Sequence, residues 1–319
     1  METRLRVPWL DMEDYALHLL KELKINPNAT YRFDHVFVDE FQDLQPMQIK
    51  SLVKLTKDSI TLVGDDKQRI YKRTPISYKD LDLRINARTN QRLSKNFRST
   101  KQIMNLASSL QFVDVENVRE DNQEFFREGK KPVIKHFKKI TRMVSELINK
   151  IKDIHWNDPE KTIAVIHRYT PNEIRAGKSI KNYLDREFDV IGVEKYGNRF
   201  DYTKKKKPIF FTSPFEIKGL EFDYVFIIHF DVYHYPSNER VKELNEKYGG
   251  EKWDDDNYVK DYDDIMNDEK KVLYVACSRA KQELYLYYTG PTFRSASRFI
   301  EDFDTRDYVA NFKKTVFKN

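Results

Sequence analysis

Short apolar runs alternate along the chain with stretches whose apolar residues recur every three to four positions. His35-Val36-Phe37-Val38 and Ile60-Thr61-Leu62-Val63 read as buried strands. Between them Ile49, Leu52, Val53 and Thr56 fall on one helical face. Further strands are predicted over Pro132 to Phe137, Thr162 to His167, Ile209 to Thr212, Tyr224 to Phe230 and Glu283 to Tyr288. Amphipathic helices are predicted over Asp11 to Leu23, with Tyr15, Ala16, Leu19 and Leu20 turned inward, and over Thr100 to Leu110 and Arg142 to Ile151. Thr170-Pro171-Asn172-Glu173 has the form of a capping box with proline at the first helical position. Strands alternating with helices imply an α/β fold with largely parallel sheets.

Composition narrows this picture a little. Of 319 residues, 39% are hydrophobic and 34% charged, and 21 Phe with 19 Tyr supply enough apolar mass for packed cores. The net charge of +6 favours an anionic partner, because Lys and Arg neutralise phosphates. The run Lys204 to Lys207 reads as a solvated loop, with a phosphate contact as the alternative, and the acidic stretch Asp231 to Asp268 as a long connection. A single cysteine, Cys277, excludes an internal disulfide framework and a Cys-rich zinc site. The charged amino terminus is unlike a signal peptide, and no run reaches the roughly 20 apolar residues of a membrane span. A soluble, cytoplasmic chain with no membrane partner is expected.

Five places carry chemistry. Val36-Phe37-Val38-Asp39-Glu40-Phe41-Gln42-Asp43 puts two carboxylates at the carboxyl end of an apolar strand, where parallel α/β sheets place ligands. A bare Asp-Glu pair is usually an ordinary strand-to-loop boundary; its setting here argues for more. Leu62 to Tyr71 ends a strand in Gly64-Asp65, which by itself could be a plain turn. Arg92 to Thr100 leads into an amphipathic helix with arginines near the junction, where they can reach a phosphate. Lys218 to Asp223 precedes a strand, and in Leu273 to Lys281 the residues Leu273 and Cys277 share an apolar face from which Arg279 points away.

In order, D-E-F-Q-D, G-D-D-K-Q-R-I-Y, N-F-R-S-T, K-G-L-E-F-D and Y-V-A-C-S-R-A resemble motifs II to VI of UvrD/Rep/PcrA-type superfamily 1 DNA helicases, from Asp39 to Ala280. The resemblance implies RecA-like P-loop NTPase motor domains using ATP and Mg²⁺ to move 3′ to 5′ on single-stranded or partly duplex DNA. Residues 1–90 would be the distal half of domain 1A and residues 91–319 domain 2A. Asp39 would hold Mg²⁺, Glu40 act as base, and Gln42 and Gln68 sense the γ-phosphate and water. Arg98 and Arg279 would be arginine fingers. Phe97 would stack on adenine, with Glu221 and Gly219 beside the nucleotide. Tyr71, Arg73, Ser213 and Phe215 would meet DNA.

The departures from the family pattern matter as much. No G-x-x-x-x-G-K-[ST] phosphate loop occurs in the sequence, so it looks like an enzyme cut inside its first motor domain. Lys72-Arg73-Thr74-Pro75 replaces the family's aromatic and Arg-Gly, leaving Arg73 to stack or grip phosphate. Phe215 stands where the family has His. The span from Thr100 to Phe215 is too short for a full 2B subdomain, which should be reduced or absent. Two other classes stay open: an inactive remnant serving as a DNA- or protein-binding module, and one half of a composite ATPase whose P-loop lobe is a separate polypeptide. Repair, replication and defence are not distinguished.

Overall fold

The computed structural model describes residues 12–26, 31–71, 81, 83, 88–113, 124–170, 173–174, 179–193 and 207–313. They fall in two compact units, Met1–Leu93 and Ser94–Asn319. In the first, α1 (Met12–Ile25) packs on α2 (Pro46–Leu55), beside the parallel strands β1 (Phe33–Val38) and β2 (Thr56–Leu62). Pro46 opens α2, where its missing N–H costs nothing, and Gln45 and Gln48 close a reciprocal capping box. Ser51 Oγ donates to the Ala16 carbonyl at 3.1 Å and joins the helices. Ala16 and Leu23 of α1 are buried, whereas Tyr15 is exposed. The expectation for Tyr15 fails because it lies about 100° around the helix from Ala16, outside the stripe that Ala16 and Leu23 define.

The second unit is built on a seven-stranded sheet in which every pair is parallel. Its strands are β5 (Val133–Phe137), β6 (Ile163–Ile166), β7 (Val190–Ile191), β8 (Ile209–Thr212), β9 (Phe222–Ile227), β10 (Ala280–Thr289) and β11 (Val309–Ala310). Across the sheet they run in the order β11-β5-β10-β9-β6-β8-β7. Such a sheet must be covered on both faces, so its central strands read as unbroken apolar runs, and all four residues of β6 and of β8 are buried. On one face α4 (Ile140–Asn157) lays Met143, Leu147 and Ile151 against Val165, Phe211, Phe226 and Tyr285. On the other lie α3 (Lys101–Ser108) and the last turns of a long helix, with Ile103, Leu106, Leu273 and Ala276 buried. A small parallel pair, Lys95–Asn96 with Glu124–Phe125, sits outside this sheet. These two strands are β3 and β4 in chain order.

The acidic stretch after β9 is not a long connection. It holds two helices, α6 (Asn238–Tyr248) and α7 (Asp256–Ser278), numbered after α5 (Lys181–Leu184). Asp255 caps α7 through the amides of Asn257 and Tyr258, and acids in a first turn suit the helix dipole. Its earlier turns escaped the periodicity because they bury Tyr258, Asn267, Glu269 and Lys271 rather than an apolar stripe, whereas the last turns bury Val272, Leu273, Val275, Ala276 and Cys277. The described residues from 110 to 208 belong largely to the same sheet and its helices, and none forms a separate helical domain.

Leu147 is fully buried between α4 and the sheet. Leu147→Ala is expected to destabilise the protein by about 2–5 kcal/mol, read as a fall in the urea midpoint with unchanged slope.

Candidate functional site

In the first unit the site grows from the carboxyl ends of β1 and β2. Val63 N donates to Val38 O at 2.8 Å and Phe41 N to Val63 O at 3.1 Å, so the two strands lead into adjoining turns. Glu40 adopts φ 50 and ψ 41, the one positive φ outside glycine among the described residues. A left-handed glutamate at a strand end is strained, and such positions concentrate at functional sites. Asp39 is exposed, its Oδ1 accepting from Glu40 N at 2.9 Å. Buried Gln42 donates through Nε2 to the Glu40 carboxylate and accepts at Oε1 from Asp65 N at 3.2 Å. Asp65 in turn accepts from Lys67 N at 2.9 Å and Gln68 Nε2 at 3.0 Å. Gly64 is required between them, since a Cβ there would drive into Gln42 Oε1 and the Phe41 ring. One network thus joins Glu40, Gln42 and Gln68. Tyr71 is half-buried, and Arg73 lies outside the described residues.

In the second unit a different set gathers at the amino ends of β9 and β10. Asn96 Oδ1 accepts from the amides of Arg98 and Ser99 at 3.0 and 3.1 Å. Buried Ser99 donates through Oγ to Ala280 O at 2.7 Å. Phe222 N donates to Arg279 O at 2.9 Å. Arg98 forms an ion pair with Glu221, and Gly219 takes φ 79 in the same loop. Arg279 caps α7 and, though off the apolar face of Leu273 and Cys277, is buried. The reason is local: its Nε donates to Val275 O at 3.3 Å and Nη1 to Leu220 O at 3.4 Å, which satisfies the guanidinium indoors. Phe97 is exposed and stacks on Phe126.

Ser213 and Phe215 lie instead at the carboxyl end of β8. Glu216 accepts from Ser213 N and Ser213 Oγ, each at 3.0 Å, and from Thr212 Oγ1 at 3.1 Å. Burial pushes this carboxyl up, but those hydrogen bonds outweigh it and leave it below its ordinary range. Arg168, just beyond β6, sits over the Phe215 ring at 5.5 Å and the Tyr235 ring at 5.2 Å. Its Nη2 reaches buried Glu269 on α7 at 2.6 Å, and Arg240 reaches the same carboxylate at 3.1 Å. The sequence reading missed Arg168, Glu269 and Phe126. Arg168 could have been found from its place at a strand's carboxyl end, whereas Glu269 is lost in Asp268-Glu269-Lys270-Lys271.

Residues 4–73 match the UvrD/REP helicase N-terminal domain, and residues 201–290 the UvrD-like helicase C-terminal domain. The chain belongs to this helicase family. It is 29% identical over 208 residues to a probable DNA helicase II homolog of Mycoplasma capricolum, covering 60% of this chain and 28% of that protein. It is 25% identical to the ATP-dependent DNA helicase srs2 of Schizosaccharomyces pombe, covering 59% of this chain and 22% of the other. The chain therefore spans about a quarter of the length of these curated relatives. A solved C-terminal domain of a possible DNA helicase from Lactobacillus plantarum overlays 68% of this chain and 99% of its own at 21% identity and a TM-score of 0.45. Among the described residues no helix is long and apolar enough to cross a membrane.

Burial lowers His167 to about 4, against the opposing pull of Glu216 and Glu173. An unfolded histidine titrates near 6.5, so the buried neutral ring contributes stability that is present above about pH 6.5 and lost as the pH falls toward 4. His167→Gln should flatten part of that acid-side slope in denaturation at stepped pH; buried His229, also held well below its ordinary value, contributes to the rest.

Proposed function

We propose that the chain forms part of an ATP-dependent 3′–5′ DNA translocase of UvrD type. The observation that carries this is the gathering of motifs IV, V and VI at one end of the second unit's sheet, where Ser99 binds Ala280 and Arg98 pairs with Glu221. In this reading Phe97 stacks on the base, Glu221 and Gly219 border the nucleotide, and Arg98 and Arg279 stabilise transition-state charge. Glu40 takes the proton of the attacking water, while Gln42 and Gln68, linked through Asp65, report on the γ-phosphate. Mg²⁺ suits an exposed carboxylate such as Asp39, because it binds through one or two carboxylates plus phosphate oxygens. When bound it neutralises charge on those phosphates. Tyr71, Arg73, Ser213 and Phe215 meet single-stranded or partly duplex DNA, Phe215 by stacking that tolerates any base. Residues 1–90 act as the part of domain 1A and residues 91–319 as domain 2A.

Phosphoryl transfer needs the β- and γ-phosphates held still. The 319 residues contain no G-x-x-x-x-G-K-[ST] to hold them. A second reading has the chain work with a P-loop lobe carried elsewhere, or serve as a binding module without turnover. A phosphate-release assay with single-stranded DNA separates these. The 319-residue polypeptide alone is expected to show no ATPase above background, and joining it to a P-loop-bearing helicase segment should give Mg²⁺-dependent turnover. Glu40→Gln or Arg279→Ala should then each lower that turnover by about 10³-fold or more. Robust hydrolysis by the polypeptide alone, lost in Glu40→Gln, would refute the requirement.

DNA binding is a separate expectation. Single strands should bind weakly and without sequence preference, with affinity falling steeply between low and physiological salt. Titration of a labelled oligonucleotide at several salt concentrations checks it, and salt-independent affinity would count against the assignment.

A further inference from the structure

Phe97 is 60% exposed and Phe126 57% exposed, yet their rings lie nearly parallel, 13° apart with centroids at 4.2 Å. Two phenyl rings do not hold this arrangement in water without a frame. The frame is the backbone around them. Strand β4 pairs with β3 in register Asn96↔Phe125, and Phe126 N donates to Asn96 O at 3.3 Å. On the far side of Phe97, Arg127 donates through Nη1 to Arg98 O at 3.3 Å and accepts at its own carbonyl from Lys101 N at 2.9 Å. Gly129 then packs under Thr100, where a Cβ would come within 2.6 Å of Cγ2. The segment from 124 to 129 is therefore fastened to the residues before and after Phe97, and it delivers one planar side chain to one face of that ring.

We propose that Phe126 is a positioning residue for nucleobase recognition: it backs the Phe97 ring, leaving the opposite ring face as the platform for the base of a bound nucleotide. This rests on the reading of Phe97 as the base-stacking residue. An isolated exposed phenylalanine samples several rotamers and loses that freedom when a base lands on it. A ring already stacked on a fixed neighbour has lost it beforehand, so the base binds a preorganised surface. The contribution belongs to the base alone and not to the phosphates.

The test measures equilibrium binding of ATP and of inorganic tripolyphosphate to the full chain by calorimetry. Phe126→Ala is expected to weaken ATP binding about 2- to 10-fold, the range for losing one aromatic pair, while tripolyphosphate binding stays unchanged. Phe126→Trp should restore ATP binding, since it returns a flat face. Phe97→Ala should weaken ATP binding about 5- to 100-fold. If Phe97→Ala weakens ATP binding and Phe126→Ala does not, the positioning role is refuted and the reading of Phe97 survives. If Phe97→Ala changes nothing, or the wild-type chain binds ATP no better than tripolyphosphate (neither binding included), both fall together. Equal loss of ATP and tripolyphosphate in Phe126→Ala marks a general structural defect and also overturns the proposal.

Discussion

The second unit is organised around a carboxylate that has no business being dry. Glu269 is fully buried in the middle of α7, and it accepts from Arg168 at 2.6 Å, Arg240 at 3.1 Å and the Ser237 amide at 3.1 Å. A buried charge survives only when paired and hydrogen-bonded on every side, and breaking such a pair by removing one partner costs about 3–5 kcal/mol. Each partner comes from a different element: the end of β6, helix α6 and the turn ahead of α6. Satisfying Glu269 therefore fixes the axial position of α7 against the sheet. Ten residues further along the helix, roughly 15 Å at the standard rise, stands Arg279. Its place at the amino end of β10 follows from where Glu269 is held.

The loop between β8 and β9 has the matching geometry on the sheet side. Because the two strands are parallel, the loop must run from the carboxyl end of one to the amino end of the other. Phe215 at its start lies under Arg168, and Glu221 at its end pairs with Arg98. Buried Ile217 anchors its middle, and Glu216 ties its first turn through three hydrogen bonds. Nine residues thus connect the two ends of the sheet without a helix between them. Arg168 touches both this loop and, through Glu269, the helix that carries Arg279. The two routes across the sheet share one guanidinium.

Much of this architecture was legible beforehand because parallel sheets write themselves as apolar runs. Ile209 to Thr212 is the strand the pattern predicts, and Val133 to Phe137 and Ile163 to Ile166 lie within the predicted spans. What escaped shares a physical cause. Ahead of its apolar last turns, helix α7 buries Tyr258 and an ion-paired carboxylate, so the contrast between faces that periodicity relies on is missing there. Phe126 and Arg127 escaped because nothing local marks them; their partners are about thirty residues earlier in the chain. The turn at Glu40 was visible as a motif, but its left-handed backbone was not, since no residue preference announces a strained glutamate.

The two arginines assigned as fingers are held in different electrostatic states, and the difference bears on how each would respond to an anion. Arg98 is partly exposed and neutralised by a full charge on Glu221. Its exchange toward a phosphate trades one anionic partner for another, in a setting where water screens both. Arg279 is buried, and the acceptors of its guanidinium include two backbone carbonyls at 3.3 and 3.4 Å, near the long end for hydrogen bonds. Much of the desolvation of its charge is already accomplished by folding. Of the two, the buried arginine would act on a nearby anion more strongly, because low local polarity strengthens the attraction that water screens at Arg98.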